Sequence, residues 1–221
     1  MKKYVVAAAL AVAALVFITS AVASLPAGQA LHYGGPGVHS WTKTGDSPQD
    51  ANSRALRFKV GDGEWVSVKS NRSLNIATEA EQVGNLSFEF NENLHVGAGA
   101  PRISVQFQNG DVAYLSASYC NHPLAVSGGK WGRADFTRFH TNCTIFVNGE
   151  TAGPAGSYSA DGTRSAWQVY TDANPGQIVE QAYIVADEPG TYRLDRISLG
   201  GGAMYTAGDR VGKLCTTEAS C

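Results

Sequence analysis

Apolar and polar residues alternate along most of this chain, in short runs separated by turn residues. Leu56, Phe58 and Val60 alternate with Arg57 and Lys59, and Gly61-Asp62-Gly63 then turns the chain into Trp65 to Lys69. A period of two places successive side chains on opposite faces, so each run predicts a strand, and this pair has the pattern of a hairpin. Leu86, Phe88 and Phe90 share one face, opposite Ser87 and Glu89. Ile103, Val105 and Phe107 alternate with Arg102, Ser104 and Gln106; Asn109-Gly110 then predicts a type I′ turn into a partner strand over Val112 to Ser116. Further strands are predicted over Gly132 to Phe136, Thr144 to Val147, Ile178 to Val185 and Tyr192 to Leu199. One apolar and one polar face per strand predicts antiparallel sheets covered on one side. About eight such strands predict an all-β fold, an antiparallel β-sandwich of jelly-roll type.

Two segments depart from this pattern. Ser165-Ala166-Trp167-Gln168 is a capping box, which predicts one short helix with Trp167 and Tyr170 on a common face, ended by Pro175-Gly176. In the last strand Tyr192 and Leu194 are out of phase with Ile197 and Leu199, so a bulge near Asp195-Arg196 is needed to turn all four inward.

The opening residues have a different character. Lys2 and Lys3 precede an unbroken apolar stretch from Val5 to Ile18, and Ala21-Val22-Ala23 forms a small-residue cleavage site before Ser24. This predicts a signal peptide over 1–23 and a secreted, extracytoplasmic protein. Its apolar core is shorter than the ~20 residues of a spanning helix, and no second long apolar run follows, so no membrane span is expected after cleavage. Residues 24–53 are rich in Gly, Pro, Ser and Asp and read as a linker or a loosely held first strand around Ser40 to Thr44. The sandwich domain is expected over 54–221. Charge narrows the partners. Without Lys2 and Lys3, the 17 basic residues fall to 15 against 19 acidic ones, a formal net charge of −4 with no Lys/Arg cluster. Nucleic acid is therefore not an expected partner.

Four cysteines fit an oxidising compartment and allow three pairings. The pairs closest in sequence, Cys120–Cys143 and Cys215–Cys221, are favoured. The alternative is that Cys120, His122, His140 and Cys143, spaced C-x-H…H-x-x-C, surround a zinc ion. Oxidation in an exported protein weighs against this, because a disulfide uses both sulfurs.

No G-x-S-x-G, H-E-x-x-H, Walker or EF-hand motif occurs, so the reading leans away from an enzyme. The aromatic residues offer another chemistry. On the segment Trp131 to Phe136, Ala134 and Phe136 share one face while Trp131, Arg133 and Asp135 share the other. If the first face is core, the second presents a flat ring beside a cation and a carboxylate, which suits a sugar. The other reading is that Trp131 caps the core and Arg133 pairs with Asp135 at the surface. Trp65 and Trp167 are read as core residues.

The segment from Gly84 to Gly200 resembles secreted jelly-roll modules of the galactose-binding-like and carbohydrate-binding kind. The likeness lies in Ala100-Pro101-Arg102 leading into a strand and in the closing run from Asp187-Glu188-Pro189-Gly190 to Ser198-Leu199-Gly200. By that resemblance Asp195 would help hold a structural calcium, with no other cofactor implied. The chain is also similar to uncharacterised secreted bacterial β-sandwich proteins, which imply no activity. The expectation is a non-catalytic protein binding a glycan or another cell-surface ligand. The alternatives are a polysaccharide-active hydrolase and a structural or adhesive surface protein.

Overall fold

The computed structural model describes residues 31–43, 54–70, 78–91, 99–120, 124–126, 131–139, 142–148, 156–201, 204–205 and 211–214. Within them the strands are β1 (Leu31–Gly34), β2 (Val38–Lys43), β3 (Arg54–Val60), β4 (Val66–Ser70), β5 (Thr78–Glu79), β6 (Leu86–Asn91), β7 (Arg102–Phe107) and β8 (Val112–Ser116). They continue with β9 (Leu124–Val126), β10 (Trp131–Asp135), β11 (Thr144–Asn148), β12 (Gly156–Ser159), β13 (Ile178–Ala186), β14 (Gly190–Leu199), β15 (Met204–Tyr205) and β16 (Val211–Leu214). The helix α1 spans Ala166–Ala173.

The strands form two sheets. A nine-stranded sheet runs β12-β11-β8-β7-β13-β4-β1-β16, with β5 also on β13; a seven-stranded sheet runs β2-β3-β14-β6-β10-β9, with β15 on β14. Every pairing is antiparallel except that of β1 with β16. The fold is therefore the all-β sandwich with one helix. The inward rows are those the alternation singled out. Leu56, Phe58, Leu86, Phe88, Tyr192 and Leu194 from one sheet meet Val66, Val68, Ile103, Val105, Ala182 and Ile184 from the other in a single apolar cluster. At about 25 cal/mol per Å² of apolar surface, burial of these rows is the main force holding the sheets together.

Several local expectations are met. The box at Ser165 closes α1, with the Gln168 amide donating to Ser165 Oγ at 3.1 Å and the Ser165 amide to Gln168 Oε1 at 3.0 Å. Trp167 and Tyr170 are both buried, and Trp167 Nε1 donates to the Ala80 carbonyl at 2.9 Å. The β14 bulge is present. Asp195 opposes Glu89 and Ser198 opposes Ser87, so Arg196 and Ile197 together oppose the single residue Phe88. Arg196 adopts a left-handed φ of 45° at the bulge, and Ile197 and Leu199 turn inward.

Other expectations are corrected. Gly61-Asp62-Gly63 does not close a hairpin: β3 lies in one sheet and β4 in the other, so this turn arches across the sandwich. Periodicity identifies strands but not their partners. The Asn109-Gly110 hairpin forms, but not with a type I′ turn. Only Gly110 takes positive φ (92°), its amide bonds the Phe107 carbonyl at 3.0 Å, and the Phe107 amide bonds the Asp111 carbonyl at 2.9 Å. Asn109 instead uses its side-chain oxygen to accept the Asp111 amide at 3.0 Å, which holds it on the negative-φ side. The first strand expected around Ser40 to Thr44 is present as β2, paired with β3, and the same segment also supplies β1, paired with β4. Trp65, expected in the core, is 43% exposed. It precedes Val66, whose inward position directs the neighbouring side chain outward.

Candidate functional site

A sandwich has two outer faces, and here they differ in chemistry. On the outer face of the nine-stranded sheet one row of residues runs straight across the strands. Phe146 opposes Tyr114, Tyr114 opposes Ser104, Ser104 opposes Tyr183, and Tyr183 opposes Lys69. A register shift in β13 between Val179 and Gln181 brings Tyr183 into this row. Val179 and Ala182 both point inward although one is odd-numbered and the other even, so the strand changes phase before Tyr183. With strands ~4.8 Å apart, Tyr114 and Tyr183 stand roughly 10 Å from each other and Phe146 to Tyr183 spans roughly 14 Å.

The rings in this row are held by neighbours. Tyr119 meets Phe146 edge-on, centroids 4.6 Å apart, and Phe146 keeps 38% exposure. The Arg102 guanidinium lies 5.5 Å from the Tyr114 centroid. Arg102 is itself fixed by a fork of bonds to Asp187, Nη1 to Oδ1 at 2.7 Å and Nη2 to Oδ2 at 2.6 Å, and by a 2.7 Å bond from Nη1 to the Gly99 carbonyl. Burial works against the Arg102 charge, but the Asp187 hydrogen bonds and charge outweigh it and hold its pKa above the ordinary value. The same bond pulls the Asp187 carboxyl below its usual range against the opposing effect of burial. Beside the rings, Gln181 Nε2 donates to Gln106 Oε1 at 2.6 Å. Trp65 extends the face toward β1. A Cβ built on Gly34 would lie 3.0 Å from Ser67 Oγ and 3.4 Å from Trp65 Cζ3, so the indole covers that glycine on the outer side. Ser104 in the middle of the row is itself buried, but rings on rigid strands with amide and guanidinium groups beside them can stack on flat apolar ligand faces and bond hydroxyls.

The residues singled out in the sequence lie on the outer face of the seven-stranded sheet. Trp131, Arg133 and Asp135 do share a face opposite the buried Ala134 and Phe136, but Trp131 is 1% exposed and Asp135 0%. This corrects the expectation of an open stacking ring on that strand. The expectation of sheets covered on one side fails here for the same reason, because Ser87, Glu89, Asn91, Asp195 and Ser198 on this outer face are buried too.

What β10 builds instead is a charged network. Arg133 lies 3.2 Å from Asp135 Oδ2 and 3.9 Å from Glu89 Oε1, and its Nη2 donates to Ser87 Oγ at 3.2 Å. Arg138 Nε is 3.3 Å from Asp135 Oδ2, and Arg196, re-aimed by the β14 bulge, reaches Glu89 Oε1 at 3.5 Å. The Thr137 hydroxyl sits 2.8 Å from both Asp135 Oδ1 and Asn85 Oδ1. Glu89 is 2% exposed, and this burial raises its pKa, with Arg196 pulling the other way. Two carboxylates on one guanidinium are the ingredients of acid–base chemistry, but both are enclosed.

The remaining expectations divide by location. Cys120 and Cys143 are joined in a disulfide that ties the ends of two neighbouring segments, so neither sulfur is a thiolate ligand and the zinc set loses both. Cys215, Cys221, His122, His140 and residues 1–23 lie outside the described residues. Asp195 is at the bulge as expected, with Oδ1 accepting the Arg196 amide at 2.8 Å. Calcium asks for 6–8 oxygens. The facing carboxylate of Glu89 is already met by two guanidinium groups, and no group of three or more potential ligands occurs among the described residues. Among the described residues, the donors around Asp195 are therefore a poor fit to calcium.

No protein-family model matches the chain, and no curated protein or solved structure matches it. The functional reading rests on these two faces.

Proposed function

We propose that this is a secreted, non-catalytic protein that binds a glycan on the outer face of its nine-stranded sheet. The observation that carries the reading is the register-matched row of Phe146, Tyr114, Ser104, Tyr183 and Lys69 across five neighbouring strands. Chance alternation puts an occasional ring on an outer face; three in one row, with a fourth packed against the end, form a platform longer than one sugar ring. Support also comes from the disulfide, which suits an oxidising compartment. The site differs from the Trp131 strand first singled out, whose ring is enclosed.

The test is a panel of neutral glycans probed with wild type, Tyr114→Ala and Tyr183→Ala. Each variant is expected to lose on the order of tenfold in affinity, as for ring anchors at binding surfaces. Their melting temperatures should stay close to wild type, since surface truncations away from special features usually change stability by about 0.5 kcal/mol or less. A wild type that binds no member of the panel would favour the structural or adhesive reading, and variants that bind like wild type would remove this face from consideration.

A further inference from the structure

The seven-stranded sheet carries a second feature on its outer face, beyond the buried network. Leu56, Phe58, Tyr192 and Leu194 point inward, so Arg57, Lys59 and Arg193 point outward. Arg57 and Arg193 are directly opposite each other, and Lys59 opposes Thr191 in the next position. The paired arginines stand about 5 Å apart at Cβ, with Lys59 about 7 Å further along β3.

Like charges placed directly opposite on a sheet repel. Among the described residues the other arginine charges are balanced: Arg102 by Asp187, Arg133 and Arg138 by Asp135, Arg164 by Asp161 and Asp172, and Arg196 by Glu89. Among the described residues Arg57, Arg193 and Lys59 form no hydrogen bond or ion pair, and Arg193 Nε is buried with no partner. These three cations share one face although the whole chain is acidic, at net −2. Two adjacent guanidinium forks match the planar geometry of an oxyanion held by parallel N–H bonds.

We propose that Arg57, Arg193 and Lys59 form a binding site for an acidic polysaccharide. The arginine pair grips one carboxylate or sulfate, and Lys59 meets the next along the polymer. Three cations on a flat strand pair suit a chain with one charge per sugar better than a nucleic acid, whose binding usually recruits many phosphate contacts. The site shares only the ligand class with the neutral-glycan face, which lies on the opposite side of the sandwich, so the two can fail separately.

The experiment measures binding of the folded protein to polygalacturonate and to heparin, with dextran as neutral control and duplex DNA as the phosphate polymer. Wild type should bind the acidic polysaccharides with an affinity that falls as salt rises. Arg57→Gln with Arg193→Gln should lose about tenfold per guanidinium removed, while Arg164→Gln, which removes a cation that belongs to neither face and is paired with Asp161 and Asp172, binds as wild type. Because the substitutions relieve repulsion, the double variant should melt no lower than wild type at low salt. Thr191→Glu, which leaves all three cations in place and sets a carboxylate opposite Lys59, should also weaken binding, and it serves as the test if the double variant folds poorly. The proposal is overturned if wild type ignores both acidic polymers, if it prefers DNA to them, or if both sets of variants bind undiminished.

Discussion

Replacing Arg133 by methionine would keep most of the side chain's length while removing the charge that joins two enclosed carboxylates. The guanidinium is 3.2 Å from Asp135 Oδ2 and 3.9 Å from Glu89 Oε1. At an effective dielectric constant of ~20 these contacts correspond to attractions of roughly 5 and 4 kcal/mol. The cost of burying the three charges offsets much of that sum, so the intact network is worth far less. The variant, however, keeps the cost and loses the attraction, and breaking a buried pair from one side costs about 3–5 kcal/mol. Arg138 and Arg196 remain as partial partners, 3.3 Å from Asp135 and 3.5 Å from Glu89, which points to the lower end of that range. For a chain of this size about 3 kcal/mol corresponds to a fall of about 6–12 °C in melting temperature. The assay is urea unfolding of wild type and variant from pH 7 to pH 4. Arg133 is one of the charges that pull the Glu89 pKa down, so without it the Glu89 carboxyl favours the protonated form more strongly in the folded state, and the deficit should shrink as pH falls. Glu89→Gln is the companion. Burial raises the Glu89 pKa above its ordinary 4.5, so ionising it costs stability as pH rises from that value through the raised one, and the variant should lack this decline. An Arg133→Met deficit below about 1 kcal/mol, or one independent of pH, would refute the account of the network.

Other outcomes follow from local geometry. Replacing Cys120 and Cys143 by serine opens a link between residues 23 apart and should cost about 3 kcal/mol in urea unfolding, by the chain-entropy relation; a change under about 1 kcal/mol would deny the bond that role. Arg102→Lys should lose the fork to Asp187 and cost about 1 kcal/mol at pH 7, a modest figure because Asp187 is 39% exposed. The Asp187 pKa is lowered in the folded protein, so this stabilisation is full above its ordinary 3.8 and fades as pH drops below; wild type and Arg102→Lys should therefore converge in acid thermal melts. Chelation should leave the melting temperature unchanged, as the donors around Asp195 do not suit calcium; a drop that Asp195→Ala abolishes would reverse that conclusion.

The alternation of Leu56-Phe58-Val60, Leu86-Phe88-Phe90 and Ile103-Val105-Phe107 was enough to foresee a sandwich, since a period of two with one apolar side has few other solutions. The capping box at Ser165 and the bulge at Arg196 were equally legible, the first because its bonds span three residues and the second because a phase slip in one strand has to be absorbed locally. What pairs with what was not legible. The turn at Gly61-Asp62-Gly63 reads alike whether the next strand joins the same sheet or the other one. Trp131 showed the same limit: alternation placed it opposite Ala134 and Phe136, but not whether that second face met water. The row of Phe146, Tyr114 and Tyr183 comes from strands far apart in the chain, and Tyr183 enters it through a register shift in β13. The Arg57–Arg193 pair likewise joins residues from near the two ends of the described chain. Local bonding within a few residues is written in local sequence, whereas the composition of a face depends on strand order and register, which long-range packing selects.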